Sequence, residues 1–216
     1  MNISILGDSI STYEGYNPIG YNVFYNAERI KEYGLTNVND TWWMKVINSL
    51  NGELCVNNSF SGSTVYKFNE YSISAKERCQ NLHNEDNEPD IILIYAGTND
   101  CLGGIPAYDL YYGYCKMIKR INERYSDAQV FCATLTAGSI RQGQIDEKVS
   151  SIFVSHNNAI KKAVNENGAK LIDLAKFNEY YLANDNCHPN KEGHNQIAKW
   201  WIKELKGKEL NGTSHR

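Results

Sequence analysis

The sequence predicts an α/β fold built on a parallel sheet covered on both faces, and three observations lead there. Five short β-rich runs, Ile3–Leu6, Glu53–Asn57, Asp90–Tyr95, Gln129–Leu135 and Lys170–Leu174, recur along the chain. The stretches between them are long enough for crossover helices. The run Ile91-Ile92-Leu93-Ile94-Tyr95-Ala96 is apolar without alternation, as suits a buried strand. The 216 residues suit one domain with a sizeable core. We place that domain at 1–206 and expect 207–216, which has little apolar content, to fray.

Taken in order, Met1-Asn2-Ile3-Ser4-Ile5-Leu6 leads straight into the fold as the first strand. With no basic region and no apolar stretch of export length ahead of it, a cytoplasmic location is expected. From Ile10 to Asp40 no clear period appears, and Tyr13, Tyr16, Tyr21, Phe24, Tyr25 and Tyr33 are set among Gly and Asn. Irregular segments this long are usually functional, so it reads as the wall or lid of a cleft with a short helix near Ala27 to Tyr33, or as a loop packed over the sheet edge. Trp42, Trp43, Met44, Val46 and Ile47 pack a helix onto the sheet, with one tryptophan free to reach the cleft. Tyr111, Cys115, Ile118, Ile121 and Tyr125 recur at helical spacing, as do Ile160, Ala163 and Val164 ahead of Asn167-Gly168, a C-terminal stop. A last amphipathic helix runs from about Lys191 to Leu205, with His194, Ile197, Ala198, Trp201 and Leu205 on one side.

Composition excludes several classes. A net charge of −3, spread along the chain, gives no electrostatic footprint for nucleic acid or an anionic membrane. No apolar run approaches the roughly 18 residues of a membrane span. The six cysteines, Cys55, Cys79, Cys101, Cys115, Cys132 and Cys187, lack C-x-x-C spacing, which points to reduced thiols rather than a zinc site or disulfide framework. The sequons at Asn39, Asn57 and Asn211 carry little weight without an export signal.

Four short islands carry the chemistry. They are Gly7-Asp8-Ser9, Gly62 within Asn58-Ser59-Phe60-Ser61-Gly62-Ser63, Gly97-Thr98-Asn99-Asp100, and Asp185-Asn186-Cys187-His188. Each alone reads as turn chemistry; each in order at a strand end reads as a site. Ser9 is the candidate nucleophile, and a serine hydroxyl needs a base to take its proton. Of the five histidines, only His188 follows an acid by three residues in a loop. Asp185 would bond one ring nitrogen and leave the other facing Ser9, the division of labour of a Ser-His-Asp triad. The Ser9 and Gly62 backbone N–H groups and the Asn99 amide are candidate oxyanion donors; losing one typically costs about 2.7–4 kcal/mol of catalysis.

Bland alternatives accompany these assignments. Gly62 serves turn geometry alone, Asn99 bridges two loops, Asp8 bonds local backbone, and Asp100 starts a helix or braces a loop rather than acting as a second acid. His194, six residues after His188, has no third partner for a metal and reads as helix packing. His83 and His156 sit in polar, helical contexts and read as solvated, and Cys187 as a small buried residue. No metal and no cofactor are expected.

The four islands resemble the SGNH (GDSL-type) hydrolase superfamily. Ser9, Gly62, Asn99 and His188 match its four signature residues, and Asp185 matches the acid three before the histidine. The resemblance runs from Leu6 to about His194, through His188-Pro189-Asn190-Lys191-Glu192-Gly193-His194, and departs conservatively at Ile10, where many members have Leu. It implies a flavodoxin-like three-layer α/β/α fold and metal-free ester hydrolysis through an acyl-serine. The aromatic, Asn-rich segment suits sugar faces and hydroxyls, and carbohydrate deacetylation is frequent in the superfamily it resembles; the two together add the expectation of a short acyl group, acetyl in particular, on a carbohydrate. The rivals are a lysophospholipase or thioesterase type, a silent glycan-binding module, and a phosphate or nucleotide binder, the last without the G-x-G-x-x-G or P-loop it needs.

Overall fold

The computed structural model describes residues 1–66, 70–140, 147–208 and 210. Its strands are β1 (Asn2–Gly7), β2 (Glu53–Asn57), β3 (Ile91–Tyr95), β4 (Gln129–Ala133), β5 (Gly138–Ser139), β6 (Lys170–Ile172) and β7 (Tyr181–Leu182). Its α-helices are α1 (Ala27–Glu32), α2 (Trp42–Ser49), α3 (Lys76–Gln80), α4 (Thr98–Leu102), α5 (Ala107–Arg124), α6 (Glu147–Glu166) and α7 (Lys191–Leu205). Five strands form one parallel sheet in the order β2-β1-β3-β4-β6. Helices α2 and α7 pack together on one face, and α3, α5 and α6 on the other, giving the three layers.

The sheet reverses its direction of growth between β1 and β3, which pair in register from Ile3–Ile91 to Gly7–Tyr95. The strand ends at such a reversal leave a crevice, the usual ligand position in this architecture. Ser9 follows β1 there, and Asn99 follows β3. Every residue of β3 is buried, as its unbroken apolar run requires of a strand covered on both faces.

Two strands end earlier than their composition suggests. At Leu135 the Asn157 side chain takes both backbone groups, with Oδ1 accepting its N–H at 2.7 Å and Nδ2 donating to its carbonyl at 2.9 Å, so β4 stops at Ala133. Beyond Ile172, Leu174–Phe177 tightens into a 3₁₀ turn. The small parallel pair of β5 and β7 lies outside the five predicted runs. With the Ala183–Pro189 bridge, it fixes both ends of the loop that holds Asp185 and His188.

Helix α7 spans the predicted residues and buries the predicted face, together with Trp200 and Glu204. Gly193 within it is required by space, because a Cβ there would fall 1.9 Å from the Leu182 carbonyl oxygen. Trp42 stacks on Trp201 at 5.1 Å and donates its indole N–H to Ser11 Oγ. Both Trp42 and Trp43 are fully buried, so neither reaches an open cleft. Of the segment expected to fray, Gly207, Lys208 and Leu210 are described, and Leu210 packs against the core; the rest of that segment, with Asn211, lies outside the described residues. No described helix is long and apolar enough to cross a membrane.

His194 shows why a histidine belongs in this core. Its Nδ1 accepts the N–H of Trp42, one of the first donors of α2 that no helical carbonyl can satisfy. That requires the neutral ring, and complete burial holds its pKa down to about 3. The folded value lies below the ordinary one, so this stabilisation is full above about pH 6.5 and is lost as the pH falls toward 3. His194→Asn, whose side-chain oxygen can still accept the Trp42 N–H, should flatten stability against pH between about 6 and about 4 by about 1.4 kcal/mol per pH unit. Urea unfolding across that window checks it.

Candidate active site

Ser9 opens a 3₁₀ turn directly after β1 and is nearly buried, at 5% exposure. Asp8 caps that turn, its Oδ1 accepting the Ile10 N–H at 3.1 Å, the local backbone role expected of it. The other Asp8 oxygen is buried without a partner among the described residues, and burial pushes this carboxyl up to about 7. The Ser9 carbonyl accepts from the Thr12 hydroxyl at 2.9 Å, and that hydroxyl accepts the Phe24 N–H at 2.9 Å.

His188 arrives from the far end of the chain. Its Nε2 lies 2.9 Å from Ser9 Oγ, and its Nδ1 lies 2.7 Å from Asp185 Oδ2. Asp185 Oδ1 accepts the backbone N–H groups of Cys187 at 3.1 Å and His188 at 2.7 Å, which closes the loop around the acid. Burial raises the Asp185 carboxyl, but the His188 N–H, its ring and its charge outweigh that and leave it below the ordinary value. Burial lowers His188 first, Asp185 raises it, Arg29 lowers it again, and the net shift is downward. A neutral imidazole with Nδ1–H on a carboxylate has Nε2 free to accept a hydroxyl proton, so the contacts can pass a proton from Ser9.

Gly62 has φ +81°, a left-handed conformation that favours glycine, and the space where a Cβ would stand is open. Asn99, in the first turn of α4, donates its amide to the Ser63 carbonyl at 2.8 Å, so it does bridge two loops and is tied to the one carrying Gly62. Asp100 braces the same region by accepting the N–H groups of Val65 at 2.8 Å and Tyr66 at 3.0 Å, which is the loop-bracing role.

The 10–40 segment is stitched down rather than standing apart as a lid. Asn17 bonds the Tyr13 N–H and the carbonyls of Asn57 and Ser59. Tyr25 donates to the Pro189 carbonyl at 2.7 Å, the Lys191 N–H to Tyr33, and the Asn184 amide to Glu32, all gripping the His188 loop. The Phe24 ring stacks on the His188 ring at 3.4 Å and 9°. Nothing in the sequence separates Phe24 from its aromatic neighbours, since its partner lies at the other end of the chain. Arg78 is equally silent in the sequence: it is buried in α3 and donates to the carbonyls of Gly7, Asn58 and Tyr71, joining the end of β1 before Ser9 to the Gly62 loop.

Two histidine readings are corrected. His156 is buried, its ring nitrogens 2.8 Å and 2.9 Å from the carbonyls of Ile105 and Ile152. His83 lies outside any helix, half-buried, with Nδ1 2.9 Å from the Tyr125 hydroxyl. Cys187 is half-buried, and its thiol is pushed up to about 12, by burial first and then by Asp8 and Asp185, which disfavours a thiolate. Among the described residues no cluster of three or more His, Cys, Asp or Glu could hold a metal.

Residues 1–205 match the family described as GDSL-like lipase/acylhydrolase. The chain belongs to this family of ester hydrolases. Among solved structures, a protein assigned as a GDSL-like lipase from Bacteroides ovatus is 28% identical, with a TM-score of 0.72 over 96% of this chain and 98% of its own. Another so assigned, from Bacteroides uniformis, is also 28% identical, with a TM-score of 0.70 over 95% of each chain. The psychrotrophic esterase EstA from a Pseudoalteromonas species shares the fold at 21% identity, with a TM-score of 0.59 over 95% of this chain and 97% of its own. No curated protein matches the sequence at a significant level.

For this GDSL-family hydrolase, Asp185→Asn should lower the His188 titration midpoint further, because the carboxylate is what raises it. Asparagine keeps an oxygen for the two loop N–H groups, so the loop should persist. Histidine ring-proton NMR against pH reads the shift, and an unchanged or raised midpoint would contradict it.

Proposed function

We propose that the chain is a serine esterase that removes short acyl groups, acetyl in particular, from a carbohydrate. The relay Ser9–His188–Asp185, with contacts of 2.9 Å and 2.7 Å, carries this reading. His188 Nε2 takes the Ser9 proton as Oγ attacks the ester carbonyl carbon, and Asp185 holds the ring and stabilises the imidazolium that forms. The carbonyl oxygen becomes an oxyanion facing the Ser9 and Gly62 N–H groups and the Asn99 amide. Collapse breaks the ester C–O bond, and His188 returns the proton to the departing alcohol. Water then attacks the acyl-serine by the same route, releasing the carboxylic acid and restoring Ser9.

The carbohydrate half of the reading rests on the surroundings of Gly62. Tyr21 meets Phe60 edge-on at 5.3 Å, and Phe60 lies 4.9 Å from Tyr71, a run of rings beginning two residues before Gly62. Asn22, exposed beside them, exchanges bonds with the backbone of Ser61. Flat rings with amide neighbours suit a sugar face and its hydroxyls. A long acyl chain would draw on apolar surface instead, and exposed Ile19 keeps that second reading in play.

The EstA structure is described as inhibited by monoethylphosphonate. A reactive ethylphosphonate ester should likewise add one phosphonyl group to this chain by intact-mass spectrometry, located on Ser9 and absent in Ser9→Ala. The same substitution should abolish hydrolysis of p-nitrophenyl acetate; a labelled, active Ser9→Ala protein would end the proposal.

Tyr71→Ala should raise KM for acetylated oligosaccharides by about 3–10-fold, the equivalent of roughly 0.5–1.5 kcal/mol for a lost ring contact, and leave p-nitrophenyl acetate unaffected. Rates that climb from acetyl to octanoyl esters would instead favour the long-chain reading.

A further inference from the structure

The base is held by a ring as well as by a carboxylate. Phe24 covers one face of His188 at 3.4 Å, and its own backbone N–H is fixed to Thr12, whose hydroxyl is fixed to the Ser9 carbonyl. The contacts close a circuit: from Ser9 to Thr12, to Phe24, to His188, and back to Ser9 Oγ. The rings of Tyr25 at 5.0 Å and Tyr33 at 5.3 Å stand nearly perpendicular to the Phe24 ring. The Arg29 guanidinium lies 4.8 Å over that ring, and since His188 fills one face, Arg29 occupies the other.

We propose that Phe24 is a positioning residue for the base: its ring fixes the His188 imidazole in the plane that aims Nε2 at Ser9 and Nδ1 at Asp185, and shuts water from that face. The inference rests on the serine-esterase reading above for its catalytic consequence, although the placement of the ring does not. Hydrogen bonds at the two nitrogens set where an imidazole's edges go but leave it free to tilt about the line between them. A parallel ring at van der Waals distance removes that freedom. Small misplacements of a catalytic group are expensive, on the order of 100-fold in rate for about 1 Å.

Of the charged and titratable groups around His188, Asp185 on its own loop and Arg29 on α1 act on its charge, His194 on α7 feels that charge, the Ser9 hydroxyl meets Nε2, and Tyr25 and Tyr33, flanking α1, pack against Phe24. Burial is the largest influence on the ring and favours its neutral form. Uncovering the Phe24 face therefore raises the His188 midpoint. A benzene face also attracts an imidazolium, which acts the other way, but it is the smaller effect at a site where burial dominates.

The test compares wild type with Phe24→Ala, Phe24→Leu and Phe24→Tyr on p-nitrophenyl acetate, reading kcat and KM against pH, with His188 followed by ring-proton NMR and folding by thermal melts. Phe24→Ala should lower kcat by about 10–100-fold with KM changed less than about 3-fold. Its acid limb and its NMR midpoint should both move to higher pH. Phe24→Tyr, which restores a flat face, should stay close to wild type, and Phe24→Leu, which fills space without one, should fall between. A Phe24→Ala protein with wild-type kcat and midpoint overturns the proposal, as does one whose only change is a lower melting temperature. If wild type hydrolyses no ester yet the midpoint moves as stated, the positioning role stands and the esterase reading falls.

Discussion

Everything at this site depends on one constraint: a neutral imidazole must be held between a hydroxyl and a carboxylate that come from opposite ends of the chain. Ser9 and His188 are separated by 179 positions and meet at 2.9 Å. No local preference can impose that distance. It is set by how firmly the 183–190 loop is docked against the end of β1, and the docking is done by the segment between them in space. Tyr25, Tyr33, Glu32 and the N–H of Lys191 supply hydrogen bonds, and Phe24 supplies the face. Lys191 adds an ion pair to Asp40 at 3.1 Å, whose carboxyl is itself held by the Thr36 N–H and hydroxyl.

The side of the site that carries Gly62 and Asn99 obeys the same logic with different parts. Buried polar groups must find partners, and here the partners are neighbouring loops. Asn17 donates to the carbonyls of Asn57 and Ser59 and Asn57 donates to that of Ser11, tying the segment after Ser9 to the end of β2 and the loop beyond it, and Arg78, nearly wholly buried, donates to the carbonyls of Gly7, Asn58 and Tyr71. Its burial pulls the guanidinium down to about 10, a measure of how far from water this joint lies. Asparagine is abundant in these stretches because its amide both donates and accepts, so one side chain can stitch two backbones. A loop composition that resembles surface turn chemistry is, at these positions, internal joinery.

Asp8 stands apart from that satisfied network. One oxygen caps the Ser9 turn and the other is buried without a partner among the described residues, with Arg78 acting on it only through space. Burial is the largest influence on this carboxyl and raises it to about 7, against the Ile10 N–H that lowers it.

The alternation of strands and helices, the buried β3 run and the amphipathic face of α7 were legible from the sequence because they depend on periodicity, a property of near neighbours. The residue types at Ser9, Asp185 and His188 were legible because Asp185 and His188 share one turn and the chemistry needs those side chains. Where the reading failed, the deciding partner was remote. Asn157 ended β4, and the distant Ile105 carbonyl, with that of Ile152 one turn back on α6, holds the buried His156 ring. The sequence by itself determined the architecture, the family and the identity of the chemical groups. Only the tertiary structure decided that Phe24, rather than any other aromatic of its segment, lies flat on His188, because stacking depends on position in space and carries no signature along the chain.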